Sequence, residues 1–126
     1  MTEYVLTLQG DAASRRRPDT TADRLTGYRA HAVFAQACAD AGHTIHDDAE
    51  LHHTRALVVR VEGGRVAIAD VPLADGPFAE GTEVIAGFYR ISTDDVDGLA
   101  LLVADLLRVT GEVAVLREVL EEPVGV

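Results

Sequence analysis

Lysine and tryptophan are missing from this 126-residue sequence, and it holds one methionine and one cysteine. The lone Cys38 has no partner for an internal disulfide, so nothing in the chain calls for an oxidising compartment. No stretch approaches the roughly 20 uncharged apolar residues that span a bilayer, and no membrane partner is expected. The first nine residues alternate polar and apolar types instead of opening on a charged segment and a long apolar run, the mark of a signal peptide. A cytoplasmic location is therefore the expectation. Basic residues are scarce: 11, all arginine, stand against 21 acidic ones, for a formal net charge of −10. So negative a chain repels phosphate backbones, and direct nucleic-acid binding is not expected. Phosphate-binding glycine loops, GxSxG elbows and dinucleotide fingerprints are absent too, and no cofactor is expected.

Apolar residues are not scarce. At 48% hydrophobic, the chain has enough of them for a real core, and its length suits one domain over residues 1–126. Tyr4, Leu6 and Leu8 alternate with Val5, Thr7 and Gln9, a period of two that predicts a strand. Residues 10–21, with Arg15, Arg16 and Arg17, read as an exposed loop. A first helix is expected from Thr20 or Thr21 to about Ala41, stopped by Gly42, with Leu25, Tyr28, Ala32 and Ala35 on its apolar face. A polar strand follows within residues 43–51. Two β-rich runs, 55–61 and 65–69, flank Gly63 and Gly64 and predict a hairpin. After a Pro- and Gly-rich turn over 71–81, residues 83–91 form the clearest strand. Thr93 is placed to cap a second helix, with Asp94 and Asp95 in its first turn and a buried stripe of Val96, Leu99, Val103 and Leu106. Residues 112–120 close the chain as a strand.

This order is the split βαβ pattern of ferredoxin-like α+β folds with an inserted hairpin. Both helices would cross one face of the sheet. The strands read as apolar on both faces, Ile85 and Tyr89 one way, Val84 and Phe88 the other, so the second face needs a cover. A second copy of the chain, as a homodimer, is the simplest one.

The most distinctive string is Asp75, Gly76, Pro77, Phe78, Ala79 and Glu80, followed by Gly87, Phe88 and Tyr89. Physically it makes a tight turn anchored by Phe78, or a binding loop with Asp75 or Glu80 facing a ligand. With Val59, Arg60 and Val61 before it, the pattern resembles the DGPF, or YCII-related, domain family. That resemblance implies a dimeric ferredoxin-like α+β barrel with a cleft beside the sheet. Relatives include proteins acting on small aromatic or lactone-like compounds, and others encoded beside or fused to sigma factors. The family's Thr and Lys after the string are Gly81 and Thr82 here, so no role of that lysine carries over.

His31 is the catalytic candidate, since the resemblance places a histidine on the first helix and imidazole titrates near neutrality. Its expected orienting carboxylate is Asp48 or Asp47, while Asp40 points away. The DGPF loop and Tyr89 would line the cleft around a small-molecule ligand. His43, His46, Asp47, Asp48, Glu50, His52 and His53 are metal-ligand types, but their spacing matches no zinc pattern, and a solvated polar segment is expected there. The alternative function is a non-catalytic dimeric interaction module linked to transcription, working through the acidic surface.

Overall fold

A computed structural model describes residues 1–11, 21–51, 55–72 and 83–123. The DGPF string, Arg15 to Arg17, His52 and His53 all lie outside the described residues. The elements run β1 (Thr2–Asp11), α1 (Thr21–Asp40), β2 (Thr44–Glu50), β3 (Arg55–Glu62), β4 (Arg65–Pro72), β5 (Glu83–Thr93), α2 (Val96–Thr110) and β6 (Val113–Glu118). Four strands form an antiparallel sheet in the order β2-β5-β1-β6. The chain is thus α+β, two helices with an antiparallel sheet, compatible with a ferredoxin-like fold.

The core lies between the helices and one face of the sheet. Leu6 and Leu8 of β1 and Tyr89 and Ile91 of β5 meet Phe34 and Cys38 of α1 and Leu99, Val103 and Leu106 of α2. In the α2 stripe Leu99, Val103 and Leu106 are buried as the spacing predicts, and Val96 is half-buried. The buried face of α1 is not as predicted: Leu25 and Tyr28 are exposed, as are Ala32 and Ala35, while Phe34 and Cys38 point inward. Phe34 and Cys38, four residues apart and so on one side of the helix, face the core cluster, while the predicted face points away from it.

A second correction concerns β5. The β1–β5 register slips between Leu8, opposite Gly87, and Gln9, opposite Ile85, so Ala86 is an extra residue. Such a bulge reverses the facing of everything beyond it. Ile85 therefore shares the helix-free face with Gln9, opposite to Tyr89, and is 44% exposed.

The helix ends follow local chemistry. Gly42, at φ +84°, ends α1 in a Schellman motif: the Gly42 N–H donates to the Ala39 carbonyl and the His43 N–H to that of Cys38. At α2 the cap is Asp95, not Thr93; its Oδ1 accepts the Gly98 N–H at 3.0 Å. Thr93 is still part of β5 and buried, and its hydroxyl accepts the Asp95 N–H at 2.8 Å. Asp94 and Asp95 thus precede the helix, and Asp97 is the acid in its first turn.

Strands β3 and β4 pair only with each other among the described strands, from Arg55 opposite Pro72 to Glu62 opposite Arg65. Gly63 and Gly64, both at positive φ, make the two-residue turn.

Candidate functional site

The centre of the candidate site is the contact between α1 and β5. His31 lies one turn before Phe34, on the side of α1 that meets the sheet, and is half-buried. Its Nδ1 is 2.5 Å from the hydroxyl of Tyr89, and the two rings are stacked at 5.8 Å between centroids. Phe34 meets the same phenol ring edge-on at 5.2 Å, fixing it from a second direction.

Tyr89 is buried, and burial pushes its phenol up to about 12, with the negative charges of Asp48, Cys38 and Glu112 adding to the effect. The phenol therefore keeps its proton at neutral pH. With its proton on Nδ1, His31 donates to the phenol oxygen both as the neutral imidazole and as the imidazolium. The same hydrogen bond thus serves both proton states and leaves Nε2 as the atom that gains and loses the proton.

Of the two carboxylates expected beside His31, the strand register separates one from the other. Asp48 stands opposite Tyr89, on the helix-facing side, while Asp47 stands opposite Arg90 on the other face. The Oδ1 of Asp47 accepts the Asp48 N–H at 2.9 Å. The residue that orients His31 is a tyrosine rather than a carboxylate, with Asp48 acting on the pair through Tyr89. Asp40 is exposed and accepts from Gln36 at 2.9 Å. The loop residues Asp75, Gly76, Pro77, Phe78 and Glu80 lie outside the described residues.

The other described histidines go elsewhere. His43 is buried with its Nδ1 2.7 Å from the Thr93 hydroxyl, and His46 holds its Nε2 2.6 Å from the hydroxyl of Ser92. Among the described residues no three His, Cys, Asp or Glu side chains converge as a metal site would require. Cys38 is buried, and desolvation raises its thiol to about 11, so the thiolate is scarce at neutral pH. A groove of about 360 Å³ between α1 and α2, lined by Arg29, Ala30, Val33, Phe34, Leu106 and Val109 among others, does not include His31. No described helix is long and apolar enough to cross a membrane.

The pairing of His31 with Tyr89 carries no separate sequence signal, since the two stand 58 positions apart. Compared with protein-family models and with curated proteins, the chain matches none.

Proposed function

We propose that this chain is a YCII/DGPF-like protein that binds a small molecule beside His31 and Tyr89 and moves a proton through His31 Nε2. The observation that supports this most directly is the hydrogen bond between His31 Nδ1 and a phenol that stays protonated, with Asp48 on the same face. A histidine whose one nitrogen is held and whose other is left for exchange has the form of a general acid/base. Asp48 and Glu112 make the surroundings negative, which favours a neutral or cationic ligand over an anion.

The protein is further read as a homodimeric α+β barrel, its hairpin inserted between the second and fifth strands of a ferredoxin-like order. What supports a second copy is the helix-free sheet face, where Ile85, Val113 and Val115 are 37–49% exposed beside Val5 and Phe88. A cytoplasmic location belongs to the same reading.

The test is chemical. Diethyl pyrocarbonate, which acylates accessible imidazole nitrogens, is expected to modify His31 well ahead of the buried His43, as read by peptide mass mapping. His31→Gln is then expected to remove binding of small aromatic or lactone compounds that raise the wild-type melting temperature. A His31 no more reactive than His43 ends the acid/base reading. Undiminished binding by His31→Gln leaves the non-catalytic module as the better account.

A further inference from the structure

The hairpin of β3 and β4 carries more exposed apolar surface than any other described element. Its register places Val61 opposite Val66 and Val59 opposite Ile68, so these four and Leu57 share one face. All five are between 60% and 70% exposed. A two-stranded ribbon whose face is aliphatic but for Asp70, opposite Leu57, is marginal in water by itself and invites association.

We infer that this ribbon is a dimerisation arm, whose aliphatic face packs on the helix-free sheet face of a second copy of the chain. The arm's role rests on the homodimer proposed above and adds a second element to its interface. Three observations select a second copy over another protein.

The first is complementarity within one chain. The helix-free sheet face carries a part-exposed apolar patch of Val5, Ile85, Phe88, Val113 and Val115 beside the charged Glu3, Asp47, Arg90 and Arg117, and the arm carries an exposed aliphatic patch of its own. A two-fold axis that lays each arm on the other copy's sheet covers both surfaces with one operation and closes the assembly.

The second is area. At roughly 100 Å² per aliphatic side chain, two five-residue faces bring about 1,000 Å² of apolar surface, and covering it removes a similar area from the sheets. That total passes the roughly 1,000 Å² expected of a specific interface.

The third is charge. Over residues 55–72, Arg55, Arg60 and Arg65 stand against Glu62 and Asp70, so the arm is net positive in a chain that totals −10. A positive arm is attracted to a negative copy of the same chain, which weakens the self-repulsion that so acidic a dimer would otherwise carry.

The experiment uses the full chain and two kinds of variant. Sedimentation is expected to show a dimer for the wild type, and the double variant V59S/I68S is expected to raise the dimer dissociation constant at least tenfold with its circular dichroism unchanged. Val115→Asp, on the sheet face, is expected to weaken the dimer as well. A wild type that is monomeric at micromolar concentration overturns both the homodimer and the arm. A V59S/I68S protein that dimerises as tightly as wild type, while Val115→Asp dissociates, overturns the arm alone and leaves the sheet-face dimer standing.

Labelling gives a second reading that does not depend on disruptive substitutions. With Cys38 buried, Val59→Cys and Arg60→Cys each introduce one accessible thiol, on opposite faces of the ribbon. Maleimide is expected to label Val59→Cys at least tenfold more slowly than Arg60→Cys at dimer concentrations. Equal rates at the two positions would mean that the aliphatic face is not covered by a second copy.

Discussion

The imidazole of His43 and the hydroxyl of Thr93, 50 residues apart in sequence, meet at 2.7 Å inside the protein, where both side chains are buried. The same hydroxyl accepts the N–H of Asp95, the residue that caps α2. The end of α1, the end of β5 and the start of α2 are therefore joined at one oxygen atom. Thr93→Val keeps the shape and removes the oxygen, leaving a buried imidazole nitrogen without a partner and the Asp95 N–H without its acceptor. A buried polar group so stranded costs about 1–3 kcal/mol. Thr93→Val is expected to lose at least that much in urea unfolding. A change below about 0.5 kcal/mol, the size of an ordinary surface substitution, would show that the junction contributes nothing.

Cys38 and Tyr89 give the stability a defined alkaline limit. Burial raises the thiol from 9.0 to about 11, and burial raises the phenol from 10.0 to about 12 with help from Asp48. Above pH 9 the unfolded chain releases these protons first, so it binds fewer protons than the native state and the unfolding free energy falls as pH rises. Stability present below pH 9 is lost progressively as pH passes 11 and then 12. Cys38→Ala removes the lower part of this dependence. Its urea midpoint is expected to fall less steeply than that of the wild type between pH 9 and 11, whatever packing it loses at neutral pH. Parallel slopes for the two proteins would mean that the thiol is not held protonated.

What the sequence revealed, and what it hid, follows from where the apolar weight lies. The stripe Leu99, Val103 and Leu106 was legible because leucine and valine recur at helical spacing with polar residues between them. On α1 the alanines are spread around the helix, so spacing alone could not rank its faces, and only contact with the sheet brought Phe34 and Cys38 inward. The facing of Ile85 was misread for a different reason: alternation counts residues, and the extra residue at Ala86 breaks the count without changing the composition. The cap of α2 moved from Thr93 to Asp95 because β5 continues two residues beyond Ile91. His31 and Tyr89 were each singled out from the sequence, and their mutual hydrogen bond was not, since only the pairing of distant strands under α1 brings them together.

Two glycines test how that sheet geometry reaches the site, because the same substitution at each should act with opposite sign. Gly27 lies inside α1, and a Cβ built there meets no atom within 4 Å. Gly27→Ala therefore restricts the unfolded chain and improves helix propensity at no steric cost, a gain of about 0.5–1 kcal/mol. At Gly87 a Cβ would sit 2.8 Å from the backbone oxygen of Ala49. That neighbour is part of β2 and cannot swing aside as a side chain would. Gly87→Ala is expected to push β2 from β5 and to cost about 1–3 kcal/mol, the usual range for overpacking. Asp48 precedes Ala49 and stands opposite Tyr89, so the displacement also moves a negative charge away from the phenol. The alkaline titration of Tyr89, followed by near-ultraviolet absorbance, is then expected to begin at lower pH in Gly87→Ala than in wild type, and to stay where it is in Gly27→Ala. If both variants titrate like the wild type although Gly87→Ala is destabilised, the charge of Asp48 does not reach Tyr89, and Asp48 has no part in tuning the pair that His31 uses.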